Sequence, residues 1–248
     1  MPIPPDFLHT ETFSIRTYDI DNQKIATVPA LVKLMHESAM QQVLRLNLSV
    51  WDLEPHHISW VLMRKYLHID RLPKLGETIH IRTHPAGFEK FFTYRDYQVF
   101  DENEQRIAHS SSTWMLMDTQ NRRMARIPDF IMEKLPHLPV AKDYLPRPEG
   151  KLRPPQQVDY QQEFQVNWYD LDFNQHLNNV FYVQWMLQTV PDAVLQKGRL
   201  QHLRIQYRAE CHWKNLVVAE TQQLGKGHFS HQLKLKDTGQ ELAFAETQ

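Results

Sequence analysis

The sequence predicts a duplicated α+β fold in which each half wraps an antiparallel sheet around a central long helix. Three observations predict it. A Tyr-Asp-apolar-Asp tetrapeptide occurs twice, at Tyr18–Asp21 and again at Tyr169–Asp172. After each copy comes one helical stretch and then a run of segments with period-two alternation. Between the copies, Pro136, Pro139, Pro146, Pro148, Pro154 and Pro155 crowd a stretch with little hydrophobic periodicity, the composition of a linker. The expected division is therefore residues 1–135, a proline-rich linker at 136–157, and residues 158–248. The competing reading is two unrelated α+β domains that share the tetrapeptide by chance.

Each element has its own warrant. Phe13-Ser-Ile-Arg16 and Phe164-Gln-Val-Asn167 open the two halves. In the first half Thr27 and Pro29 give helix-start signals, and Leu31, Leu34, Met35, Val43, Leu44 and Leu46 recur at helical spacing, so one amphipathic helix is expected. In the second, Asn178-Asn179 offers a cap, and Val180–Leu187 is apolar at all but one position, the pattern of a helix surrounded by protein. Segments Trp60–Ile69, Thr78–Thr83, Phe91–Phe100 and Ile107–Met117 read as strands of the first half, with Asp101–Glu104 as a polar turn. Their counterparts are His202–Cys211, Val217–Leu224, Phe229–Leu235 and Glu241–Thr247, with Asp237–Gln240 as the matching turn. A helix and a meander each have a face to bury, and a sheet curled about the helix buries both.

Composition narrows the function. Twenty-eight Lys and Arg against 29 Asp and Glu leave a net charge of -1, so no whole-molecule field gathers nucleic acid or anionic membrane. Cys211 is the single cysteine, which excludes an internal disulfide framework and Cys-based zinc spacings; no metal and no cofactor are expected. A reducing, cytoplasmic setting fits. Met1–Asp6 lacks a basic and an apolar signal region, and no run approaches the ~18 apolar residues of a membrane span. Of the fourteen histidines, His176 alone stands in a suggestive place.

That place is the loop Trp168–Asn179, which sets two carboxylates, several carboxamides and one imidazole just before the buried helix. Free N–H groups and the positive dipole end at a helix start can receive charge developing on an oxyanion. Asp and Asn also cap helices and form Asx-turns routinely, a purely structural alternative. The repeat bears on the choice: Tyr18–Ile25 keeps the turn-forming residues but offers Lys24 or Ile25, depending on a one-residue gap, where the second half has His176. A single working site in the second half is the simpler reading. On Leu203–Cys211, alternation turns Leu203, Ile205, Tyr207, Ala209 and Cys211 to one face and Glu210 to the other. Cys211 then reads as a small buried hydrophobe and Glu210 as the chemical group, although Cys211 with His176 also permits a thiol nucleophile.

The chain resembles the acyl-ACP thioesterases, plant and bacterial enzymes that release fatty acids from acyl carrier protein. The resemblance rests on Trp168-Tyr-Asp-Leu-Asp-Phe-Asn-Gln-His-Leu-Asn-Asn179, Tyr182-Val-Gln-Trp185, Tyr207-Arg-Ala-Glu-Cys211, Phe13–Arg16, Ser112-Thr-Trp-Met115 and Arg122-Arg123 with Ile127-Pro128. It implies a tandem double hot-dog fold, with the first domain as acyl pocket and degenerate site and the second as the catalytic domain. It implies a catalytic set of Asp172, Asn174, His176 and Glu210, with Cys211 as the alternative nucleophile. The plant members carry a long N-terminal extension that this sequence lacks, which fits a bacterial, cytoplasmic protein.

The expected scheme has Glu210 as base toward water, His176 and Asn174 positioning the thioester, and Asp172 orienting its neighbours. N–H groups at the start of the Asn178–Leu187 helix would receive the thioester oxygen's charge. In the first half Leu34, Met35, Trp60, Leu62 and Met63 are candidates to line an acyl tunnel, each also readable as plain core. Acyl carrier protein, the expected partner, is strongly acidic. A neutral chain must meet it with a local basic patch, for which Arg122, Arg123 and Arg126 form the densest cluster, with Arg64-Lys65 and Arg204/Arg208 as rivals. A homodimer is the one further assembly considered; nucleic acid and membrane are not expected as partners. The rival functions are an acyl-CoA thioesterase, a dehydratase of the same fold, and an acyl-binding sensor. The sensor needs an output element for which the residues before Phe13 leave no room.

Overall fold

Thr27 has extended backbone and its side chain accepts the Ala30 N–H at 3.2 Å, so the helix starts where a cap and a following proline dictate. That helix, α1 (Val28–Arg45), is amphipathic as expected: Leu31, Val32 and Met35 are fully buried, while Leu44 in the last turn is exposed. The computed structural model describes residues 7–134, 145–147, 150–197 and 200–248. The chain divides into two units, Met1–Lys65 with Leu72–Pro148, and Tyr66–Arg71 with Glu149–Gln248.

The first unit contains β1 (His9–Ser14), α1, α2 (Val50–Leu53), β2 (Ile58–Ile69), β3 (Thr78–Glu89), β4 (Phe92–Asp101), β5 (Arg106–Asp118), β6 (Arg123–Ala125) and α3 (Asp129–Lys134). Its strands run in the order β1-β3-β4-β5-β2, with β6 added to β5. The paired strands β1/β3, β3/β4 and β4/β5 are antiparallel, and α1 packs on β1 and β3. Each fully buried aliphatic side chain on that face contributes ~2 kcal/mol. A separate apolar cluster of Leu48, Leu53, Ile58, Leu116 and Ile131 lies where α2, β2, β5 and α3 meet.

The second unit repeats the plan with β7 (Tyr160–Gln165), α4 (Asn179–Gln188), α5 (Asp192–Lys197), β8 (His202–Tyr207), β9 (Leu216–Gly225), β10 (His228–Leu235) and β11 (Glu241–Thr247). Its order, β7-β9-β10-β11-β8, is that of the first unit strand for strand. Asn178 caps α4 through the Val180 N–H at 3.1 Å. Val180, Tyr182, Val183, Trp185 and Met186 are buried against β9 and β10 and their neighbours, and Trp185 stacks on Phe164 at 4.9 Å. Residues 66–71 join this unit: the Ile69 N–H donates to the Gln201 carbonyl at 2.8 Å, and Tyr66 and His68 both reach His202 Nδ1.

Two expectations need correction. The strand expected over His202–Cys211 ends at Tyr207, because the Arg208 and Ala209 N–H groups both turn to the one carbonyl of Leu242, at 2.9 and 3.3 Å. The opening segments of both halves, read without secondary structure, are the outermost strands β1 and β7. Half of the proline-rich linker, residues 136–144 and 148–149, lies outside the described residues. Its described parts are anchored: Leu145 N–H and Arg147 both bond Asp96, and Gln156 N–H donates to Gln222.

Candidate functional site

The loop before α4 is built by one carboxylate. Asp172 Oδ1 accepts the N–H groups of Asn174 and His176 at 2.8 and 3.1 Å, while its own N–H donates to the His176 carbonyl at 2.8 Å. Gln175 takes a positive φ of 62° to close the turn. The loop before α1 is the same object. Asp21 Oδ1 accepts the N–H groups of Gln23 and Ile25 at 2.8 and 3.3 Å, and Asp21 N–H donates to the Ile25 carbonyl at 2.9 Å. Lys24 there has a φ of 64°. The two loops therefore align without a gap: Gln23 matches Asn174, Lys24 matches Gln175, and Ile25 matches His176.

The next chain segment also matches. Leu177 N–H donates to the Cys211 carbonyl at 2.7 Å, as Ala26 N–H donates to the Pro73 carbonyl at 2.8 Å. His176 bridges to His212 as Ile25 bridges to Lys74. Counting outward from these bonds, Glu210 stands where the first unit has Leu72. One scaffold thus carries Ile25, Leu72 and Lys74 in one unit and His176, Glu210 and His212 in the other.

These three side chains converge. His176 Nε2 lies 3.4 Å from Glu210 Oε2, with both side chains about three-quarters shielded from solvent. The His212 ring meets the His176 ring edge-on at 5.0 Å, and the ligating atoms of His176, Glu210 and His212 all lie within 4.8 Å of one another. Burial, ahead of any neighbouring charge, raises the Asp172 carboxyl above the usual range. Cys211 turns its thiol to Asn215. It is fully buried, its Sγ is 3.6 Å from Asn215 Oδ1, and burial pushes the thiol up to about 12, so almost no thiolate exists near neutral pH. Tyr182, whose hydroxyl donates to the Ala209 carbonyl at 3.1 Å, is raised well above its ordinary value, again by burial first.

Sequence reasoning missed His212. The signal available was its position two residues after Glu210, but the break at Arg208 and Ala209 hides which way it points. The N–H groups expected to meet an oxyanion are partly spent: Val180 N–H goes to the Asn178 side chain and Phe181 N–H to the Asn178 carbonyl, at 3.1 and 2.9 Å.

The residues expected to line an acyl tunnel are spread. Met35 and Leu62 are buried, Leu34 and Met63 are half-buried, and Trp60 packs against the Leu48 cluster with its indole N–H on the Leu48 carbonyl at 3.1 Å. Arg122, Arg123 and Arg126 are exposed around β6, Arg122 at a turn with φ 54° and Arg123 3.8 Å from Asp118. Lys65 leaves the docking rivals, being 2% exposed. Arg204 and Arg208 pair with Glu246 and Glu241 at 3.4 and 3.1 Å.

A sheet with a long helix packed on it, present twice and chemically equipped once, defines a double hot-dog protein with one candidate centre. The acyl-ACP thioesterase N-terminal domain pattern matches residues 6–135 and the C-terminal domain pattern residues 154–248. Together they show that the chain belongs to the acyl-ACP thioesterase family. It is 30% identical to the palmitoyl-acyl carrier protein thioesterase of Cuphea hookeriana over 93% of its own length. It is 29% identical, again over 93% of its length, to an acyl-[acyl-carrier-protein] hydrolase of Cuphea viscosissima. The chain spans 59% and 60% of the length of these two chloroplastic relatives. The fold is shared with the 12:0-ACP thioesterase of Umbellularia californica, at a TM-score of 0.86 and 24% identity over 100% of this chain and 98% of that one. An acyl-ACP thioesterase from Bacteroides thetaiotaomicron superposes at 0.83 with 17% identity, covering 97% and 96%.

Proposed function

We propose that the chain hydrolyses fatty acyl thioesters of acyl carrier protein, giving free fatty acid and holo-carrier protein and so ending chain elongation. Family membership supports the reaction class, and the printed names of the plant relatives support the carrier. The observation that carries the reading to particular atoms is the 3.4 Å pairing of His176 Nε2 with Glu210 Oε2, on a scaffold whose duplicate holds Ile25 and Leu72 instead.

In this scheme Glu210 takes a proton from water as the oxygen attacks the thioester carbonyl carbon. His176 holds the Glu210 carboxylate and the water in line, with its own backbone fixed by Asp172. The tetrahedral oxyanion forms near the dipole of α4, and its collapse breaks the C–S bond. The thiolate leaves unaided, since a thiol of ordinary pKa ~8.5 is a far better leaving group than an alcohol. Asp172 acts mainly as the builder of the loop, because Asp21 does the same work in the unit without the pair. Cys211 is inert packing. A buried single thiol suits a reducing, cytoplasmic compartment.

The test is a panel of acyl-carrier thioesters of different chain length, with free fatty acid as readout, alongside the same acyl groups on CoA. Faster release from the carrier protein supports the reading. Failure to release acid from any of them overturns it. Reversal of charge at Arg122 and Arg123 is expected to raise KM for the carrier substrate and to leave KM for acyl-CoA unchanged; equal KM values before and after remove that patch as the docking site.

A further inference from the structure

We propose that His176, Glu210 and His212 form a binding site for a divalent transition ion of the zinc class, and that occupation switches hydrolysis off. The donor set is two imidazoles and one carboxylate, ligands that zinc accepts at about 2.0–2.2 Å. A tetrahedron with such bonds has ligand-to-ligand edges of ~3.4 Å, and the distance from His176 Nε2 to Glu210 Oε2 is 3.4 Å. All three ligating atoms already lie within 4.8 Å of one another. His212, the exposed member, has the freedom to close the remaining gap by side-chain rotation.

The backbone beneath is held from three directions. His176 and His212 face each other across a β-bridge, Leu177 N–H is bonded to the Cys211 carbonyl at 2.7 Å, and Asp172 holds the His176 N–H at 3.1 Å. The exposed His212 also leaves the cluster open to an ion from solvent. The buried Cys211 thiol, turned to Asn215, takes no part. The sister unit supplies an internal control, because Ile25, Leu72 and Lys74 occupy the same three positions and offer no ligand set.

Inhibition rests on the hydrolytic reading of this site; binding does not. An ion held by Glu210 and His176 takes the lone pairs that would receive the proton of the attacking water. No bond is made or broken in the protein, and the ion is displaced by a chelator.

The experiment is calorimetric titration of chelator-treated protein with Zn2+, with Co2+ absorption as a second readout, on the full chain and on two variants. His212→Gln removes one ligand. His212→Lys installs the residue found at the matching place in the sister unit. The full chain is expected to bind one ion per chain with the absorption of a low-coordinate Co2+ site, and both variants to bind at least about tenfold more weakly. His68→Gln, which removes another close pair of histidine nitrogens, His68 and His202 at 3.3 Å, should leave the titration unchanged. Equal binding in the His212 variants, or no stoichiometric binding in the full chain, overturns the site. Hydrolysis is measured separately: with each protein scaled to its own turnover in chelator, the His212→Gln variant needs at least about tenfold more Zn2+ for half-inhibition than the parent. Stoichiometric binding with unaltered hydrolysis overturns the switch while leaving the site standing.

Discussion

Asp172 and Asp21 make the same turn, so replacing each in parallel separates loop building from chemistry. Each carboxylate accepts two backbone N–H groups, at 2.8 and 3.1 Å for Asp172 and 2.8 and 3.3 Å for Asp21. A hydrogen bond to a charged acceptor contributes ~1.5–3 kcal/mol when shielded and less when water can replace it. Asp172 is half-buried and Asp21 exposed. Burial also disfavours the Asp172 carboxylate itself, which offsets part of its bonds. Asp172→Ala is therefore expected to cost about 2–3 kcal/mol and Asp21→Ala about 1 kcal/mol. An Asn at either place keeps one acceptor oxygen and should recover about half the loss. Turnover should respond at one position only. Asp172→Ala frees the His176 backbone, and a displacement of ~1 Å costs on the order of a hundredfold in rate, whereas Asp21→Ala leaves turnover intact. Asp172→Asn should stay within about tenfold of the parent. The assay pairs urea denaturation with kcat and KM for all four variants under conditions where each is folded. An Asp172→Asn protein that keeps its stability yet is as inactive as Asp172→Ala would refute the loop-building role and place the carboxylate in the chemistry.

Other outcomes follow from buried ionisable groups. Lys65 is 2% exposed, its Nζ has no hydrogen-bond partner among the described residues, and it lies 4.5 Å from the centre of the Tyr97 ring. Burial, helped by the Arg95 charge, lowers it from 10.5 to about 7. The unfolded chain holds this proton more readily between pH 7 and 10.5, so stability falls as pH drops through that window, by up to about 5 kcal/mol. Lys65→Met should raise the unfolding midpoint at pH 7 and lose that advantage by pH 10; a variant less stable at pH 7 contradicts the assignment. His231, between Thr221 and Thr247 at 2.8 and 2.9 Å, is lowered from 6.5 to about 3 by burial. Its contribution is lost as pH falls below 6.5, about 3 kcal/mol by pH 4.5. Denaturation of His231→Gln at pH 7 and 4.5 should show a smaller acid loss than the parent, and identical losses would refute the point.

Much of this was legible in the sequence, for reasons that particular residues make plain. Thr27 and Asn178 marked helix starts because their side chains bond the first free N–H groups, a local interaction. The repeat at Tyr18 and Tyr169 announced the duplication, since the turn chemistry of Asp21 and Asp172 is also local. What escaped depends on contacts between distant segments. The gap between the two loops could not be fixed until the bonds of Ile25 and His176 were seen to coincide. His212 joins His176 across a bridge formed 36 residues away in sequence, beyond a break that alternation cannot see. Lys65 looked like a surface charge because composition carries no information on burial. The bond from the Trp60 indole N–H to the Leu48 carbonyl was likewise not legible. Strands β1 and β7 were missed because half their side chains face outward at the end of each strand order and read as polar.

The most direct test of the hydrolytic centre is single-turnover release of fatty acid from an acyl-carrier thioester by the parent chain, Glu210→Gln and Cys211→Ala. With Glu210 as base, Glu210→Gln should lose about 10²–10⁴ in rate with its fold unchanged, and Cys211→Ala should stay within a few-fold of the parent. A Glu210→Gln protein of near-normal rate beside a dead Cys211→Ala would contradict the assignment.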